Sequence, residues 1–210
     1  PRLGAWVNKI GLRNPGIGWL ERRVREGKKD LTDALVSVHG FHDEQWWELL
    51  TKADGLGVAG IELNMSCPNV GETNWPATLF ERASALTTPV IVKLPPVRFE
   101  RLADEAIASG VRSFHCSNTL PVKGGGMSGK PLLPVSLACV ENVRERCERA
   151  GAGGVVIVGG GGITSPEDVD AYADAGAHRF ALGSVLMHPR YLRGPGPLAG
   201  VVRRAHERAS

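Results

Sequence analysis

Cysteine is scarce in this chain of 210 residues. The four present, Cys67, Cys116, Cys139 and Cys147, are irregularly spaced, and none belongs to a CxxC pair. That spacing argues against a disulfide framework or a cysteine zinc site, and makes a reducing cytoplasm the expected location. Long apolar runs are missing as well. No window nears the ~18 uninterrupted apolar residues of a membrane span, and no signal-peptide pattern opens the chain. A formal net charge of +3 is spread thinly, with no Lys/Arg block and no aromatic–basic stripe, so neither nucleic acid nor membrane is an expected partner. The six histidines have no ligand spacing, and no metal is expected. There is no GxGxxG fingerprint and no Walker lysine. The chain opens at Pro1 without an initiator methionine, as a processed chain or a fragment would.

What is present is short apolar runs alternating with helical patterns. Strands are expected at 34–39 (ALVSVH), 60–66 (GIELNMS), 90–94 (VIVKL), 113–119 (SFHCSNT), 155–159 (VVIVG) and 180–185 (FALGSV). Most are near-continuous in Val, Ile and Leu, as parallel strands covered on both faces are. Helices are expected at 43–53, 76–86, 99–109, 134–150, 165–175 and 197–209. The fifth opens on Ser-Pro-Glu-Asp, a serine cap, a proline at the first helical position and an acid, and Gly176 supplies its stop. Repeated strand–helix alternation implies an α/β fold with a parallel sheet, in one domain over 1–210. The segment 8–14 (NKIGLRN) reads as a turn or an excursion over one face.

A period of two places Glu62, Asn64 and Ser66 on one face of their strand, and Ile61, Leu63 and Met65 on the other. The same count groups Ile91 with Lys93, and Phe114 with Cys116 and Asn118. Asn64, Lys93 and Asn118 all fall near C-terminal strand ends, the rim where α/β folds build sites. Polar strand ends also simply reach water. A lysine inside VIVKL, however, needs an anion or polar ligand to offset its desolvation. Cys67 follows in the loop; its thiol is either a proton acceptor, with an ordinary pKa of about 8.5, or a small buried filler. Two glycine-rich features suggest a phosphate cradle: Gly159 to Gly162 before the capped helix, and Leu182-Gly183-Ser184 after the last strand. Either loop alone could be a plain tight turn. KGGGMSGKPL (123–132) reads as a mobile lid or a simple connection.

In the order NKIGLRN, IELNMSCPN, VIVKLPP, SNT, GGMSGKPL, GGGGITSPEDVDAYADAGA and LGSV, the chain resembles the dihydroorotate dehydrogenases over roughly residues 5–187. The resemblance implies a TIM (β/α)8 barrel that binds FMN and oxidises dihydroorotate to orotate in pyrimidine biosynthesis. It implies Cys67 as the base, the mark of the soluble branch; the membrane-associated branch carries serine. Asn64, Lys93, Ser117, Gly129, Gly161, Gly162, Gly183 and Ser184 would bind FMN. Asn8, Ile10, Gly11, Leu12, Asn64, Asn69, Asn118 and Thr119 would bind the substrate. A homodimer and an iron–sulfur partner subunit are compatible with the branch, with fumarate or NAD as acceptor. The family pattern also places two strands before Asn8, so the expected barrel lacks its first two strands. Two other readings stay open. One is the flavin domain of a dihydropyrimidine dehydrogenase, from which Asn69 in place of histidine departs. The other is an inactive remnant that binds FMN or phosphate.

Overall fold

The structure, a computed structural model, describes residues 4–66, 75–187 and 196–209. Its main sheet has six strands: β2 (Leu35–Val38), β3 (Gly60–Asn64), β4 (Val90–Leu94), β5 (Ser113–Cys116), β8 (Val156–Gly160) and β9 (Arg179–Ala181). All neighbouring pairs are parallel, and the spatial order follows the sequence order. Right-handed crossovers in a sheet that never reverses direction put the connecting helices on one face. The opposite face becomes the inside of a curled, barrel-like wall. Among the described residues β2 and β9 each pair on one side only, so the wall is an open half-barrel.

Side-chain alternation explains the two faces. Ile61, Leu63, Val92, Leu94, Phe114, Cys116 and Ile157 are buried on the helix side, at no more than 1% exposure. Against them pack α2 (Asp43–Asp54) through Trp46, Leu50 and Ala53, and α4 (Glu100–Ala108) through Leu102, Ala103, Ala106 and Ile107. Then come α5 (Leu133–Arg149) through Cys139, Val140 and Val143, and α6 (Pro166–Ala175) through Val169 and Tyr172. The i, i+4, i+7 spacing of Trp46, Leu50 and Ala53 is one helical stripe. Each fully buried large apolar side chain of this layer contributes about 1.5–3 kcal/mol. The inner face carries Ser37, Glu62, Lys93 and His115, so the hydrophobic layer holds the wall and leaves its concave side polar.

Several expected boundaries shift. The last expected strand, 180–185, is three residues, Arg179–Ala181, and a 3-10 turn over Ser184–Met187 takes up its end. The strand expected at 113–119 stops at Cys116. The helix expected at 76–86 is confined to α3 (Leu79–Ser84). The final helix is α7 (Ala199–Arg208), preceded by a 3-10 turn at Gly196–Leu198. The capping of α6 is as the sequence reads: a Ser165/Asp168 capping box, Pro166 in the first turn, and Gly176 left-handed at φ 111°.

One feature is absent from the sequence reading. A second, three-stranded antiparallel sheet joins β1 (Ala5–Asn8), β7 (Gly125–Gly129) and β6 (Leu120–Val122). The glycine-rich stretch read as a lid or connection is thus a hairpin. Glycine is required in it by close approach: a Cβ on Gly129, at φ +98°, would lie 2.0 Å from the carbonyl oxygen of Gly4. Helix α1 (Ile17–Arg25) is likewise unanticipated; it buries no residue of its own and leans on α2.

Candidate active site

Strand β3 brings the first site residue to the rim. Its backbone is fixed by ladders to β2 and β4, and Asn64 lies opposite Lys93. The Asn64 side chain then gathers its neighbours. Asn118 donates from Nδ2 to Asn64 Oδ1 at 3.2 Å and to Ser66 Oγ at 3.0 Å. Asn118 Oδ1 in turn accepts the Thr119 N–H at 2.8 Å. His39, at the end of β2, lies with Nδ1 2.8 Å from the Asn64 carbonyl oxygen. The structure therefore brings Asn64, Ser66, Lys93, Asn118 and Thr119 together at the C-terminal ends of β3, β4 and β5. It does not group Asn118 with Phe114 and Cys116. The strand ends at Cys116, and the period-two count no longer applies beyond it.

Below this rim lies a polar layer that crosses four strands. Glu62 Oε1 accepts Ser37 Oγ at 2.8 Å and Lys93 Nζ at 3.4 Å, and Glu62 Oε2 faces His115 Nδ1 at 2.6 Å. Burial pushes the Glu62 carboxyl up, but the His115 hydrogen bond, the Lys93 and His115 charges and the Ser37 hydroxyl together pull it down to about 2. Glu62 is thus the anion that Lys93 requires. The sequence places Glu62 on the correct face without assigning it a role, and leaves His115 among the histidines without ligand spacing. The missing signal is register: β4 and β5 pair Lys93 with His115, and no local pattern encodes that.

A second cluster forms around the glycines. Ser117 Oγ and Ser136 Oγ are 2.6 Å apart, both buried. A Cβ on Gly161 would lie 2.6 Å from Ser136 Oγ, and one on Gly162 2.9 Å from the Gly129 carbonyl oxygen. Tyr172 donates to the carbonyls of Gly160 and Gly161 at 3.0 and 2.8 Å, and burial raises its phenol strongly. Gly160 pairs with Ala181, so the Gly161–Gly162 turn and the Gly183–Ser184 turn leave the sheet side by side. Among the described residues, no acceptor takes the main-chain N–H of Gly161, Gly162, Gly183 or Ser184. Those four amides can hold an anion such as a phosphate. The start of α6 is largely self-capped. Asp168 already accepts Thr164 N–H, Thr164 Oγ1 and Ser165 N–H, and it pairs with Lys130. Burial opposes ionisation of Asp168, while Lys130 and Thr164 outweigh it and keep its carboxyl lowered.

The remaining site residues are more dispersed. Asn8 ends β1 opposite Gly126, and its Oδ1 accepts the Ile10 N–H at 3.4 Å. Ile10 is 69% exposed, and Gly11 turns at φ +72°. Leu12 and Asn64 both line a cleft of about 630 Å³ beside β2. No hydrogen bond joins Asn8, Ile10 or Gly11 to Asn64 or Asn118 among the described residues. Cys67 and Asn69 lie outside the described residues.

Comparison with known proteins follows the same lines. The family model for dihydroorotate dehydrogenase matches residues 2–192. The catalytic subunit of a dihydroorotate dehydrogenase B (NAD(+)) from Alkaliphilus oremlandii is 32% identical, over 89% of this chain and 69% of that protein. A putative dihydroorotate dehydrogenase A (fumarate) from Aeropyrum pernix is 28% identical, over 92% of this chain and 70% of that protein. In fold, the crystal structure of DHODH in complex with ferulenol from Eimeria tenella aligns with a TM-score of 0.73 at 17% identity. That alignment covers 97% of this chain and 70% of the other.

Proposed function

Because the chain belongs to the dihydroorotate dehydrogenase family, we propose that it oxidises dihydroorotate to orotate with FMN as its cofactor. The observation that carries this reading is the convergence of Asn64, Asn118 and Lys93 at one rim, next to four open main-chain amides. The residues fit the cofactor. Gly161, Gly162, Gly183 and Ser184 hold the phosphate through their N–H groups, with Gly129 and Ser117 closing that side. Lys93, steadied by Glu62, and Asn64 hold the ring. When bound, FMN supplies the hydride acceptor.

The protein's own residues do the rest. Asn64, Asn69, Asn118 and Thr119 bind the pyrimidine, and the segment Asn8, Ile10, Gly11 and Leu12 lines its other side. Cys67 accepts the ring proton. Loss of that proton and of a hydride from the neighbouring carbon leaves the C=C bond of orotate. Orientation by several side chains at once is what makes the transfer intramolecular in effect.

Product analysis tests this reading against the other dihydropyrimidine. The FMN-loaded chain, given dihydroorotate or dihydrouracil with a dye as electron acceptor, forms orotate from the first and no uracil from the second. Uracil in place of orotate would reassign the substrate. Supplying NAD or fumarate in place of the dye then identifies the natural acceptor class.

A further inference from the structure

Lys93 and His115 are register partners on adjacent strands, and both reach Glu62. His115 spends only Nδ1 on that contact. Glu62 Oε2 can only accept from Nδ1, so Nδ1 carries a hydrogen, and the tautomer protonated there alone presents an acceptor at Nε2. Among the described residues Nε2 has no partner, and it is not sealed from solvent. Gly160 keeps it open. A Cβ there would come within 3.3 Å of Nε2 and 3.0 Å of Ala181 Cβ. Lys93 directs one contact at Glu62, and an ammonium has three N–H groups. An acceptor and a donor therefore stand side by side on the concave face, both positioned by one carboxylate.

We propose that His115 is a binding residue that reads a cyclic imide edge, its Nε2 accepting the ring N–H while Lys93 donates to the adjacent C=O. This rests on the proposed function for the identity of the ring. Both the flavin ring and dihydroorotate carry such an edge, and the pairing discriminates against a ring whose imide nitrogen is alkylated. Glu62 acts only as a positioning residue in this arrangement.

Ligand-side and protein-side changes together test it. FMN and 3-methyl-FMN, which lacks the imide N–H, are titrated into the wild-type chain and into His115→Phe and His115→Gln, following flavin fluorescence. One net hydrogen bond corresponds to a preference of about 5- to 10-fold for FMN in the wild type. The preference falls to within about twofold in His115→Phe and is partly restored in His115→Gln, whose amide oxygen accepts. If the flavin preference is insensitive to His115, the same comparison with orotate and N3-methylorotate on the FMN-loaded chain assigns the edge to the substrate. Both preferences unchanged in His115→Phe, or absent from the wild type, overturn the inference and leave the flavoprotein reading intact. A wild-type chain that binds neither FMN nor orotate overturns that reading, and this inference with it.

Discussion

Replacing Cys67 by alanine lowers the rate at which dihydroorotate reduces bound FMN by about 10²- to 10⁴-fold at neutral pH and leaves FMN affinity unchanged, since that is the range a positioned general base supplies. The expectation has a local basis. Strand β3 ends at Asn64, and Asn118 ties Asn64 to Ser66, the residue immediately before Cys67. Ser66, the residue before Cys67 in sequence, is thus held at the rim. Cysteine suits the task because its ordinary pKa, about 8.5, lies near working pH. Serine does not, because its hydroxyl is a far weaker acid. Cys67→Ser is therefore expected to be slow at neutral pH and to recover as pH rises. Single-turnover stopped-flow reduction across pH 6 to 10 measures this. Full reduction rate in Cys67→Ser at neutral pH would remove Cys67 from the role.

The second large effect belongs to Glu62. Glu62→Gln removes the carboxylate that pairs with both Lys93 and His115, and removing one partner of a buried charged cluster is costly. The carboxyl titrates at about 2 in the fold against an ordinary 4.5. A depressed pKa contributes stability that is fully present above 4.5 and is lost as pH falls through about 2. The shift corresponds to ~3 kcal/mol at pH 7. Urea unfolding of the wild type and Glu62→Gln should differ by about that amount at pH 7. The gap should narrow steadily between pH 4.5 and pH 2. An equal gap at pH 7 and pH 2.5 would mean that the glutamate contributes by packing alone.

How much of this the sequence carries differs from element to element. VIVKL becomes β4 at the boundaries read from it, and SPEDV through Gly176 becomes α6 with its cap and stop. Both are local signals: a continuous β-branched run in one case, capping chemistry in the other. Asn64, Lys93 and Asn118 were found because polar residues near the ends of apolar strands stand out. GGMSG was not legible as a strand, since glycine has little intrinsic β preference. Its pairing with Ala5–Asn8 depends on a partner more than a hundred residues away. The same holds for the Ser37–Glu62–His115 contacts. They depend on the register of three ladders, and register is fixed by the buried helix-side face rather than by the polar residues themselves.

Whether this rim binds FMN and passes it electrons from dihydroorotate is decided by anaerobic titration of the FMN-loaded chain with dihydroorotate, followed at the flavin band near ~450 nm. Bleaching that completes at about one equivalent of dihydroorotate per bound flavin, with orotate recovered, is the result expected. Flavin that stays oxidised in excess dihydroorotate, or a chain that takes up no FMN, would contradict it.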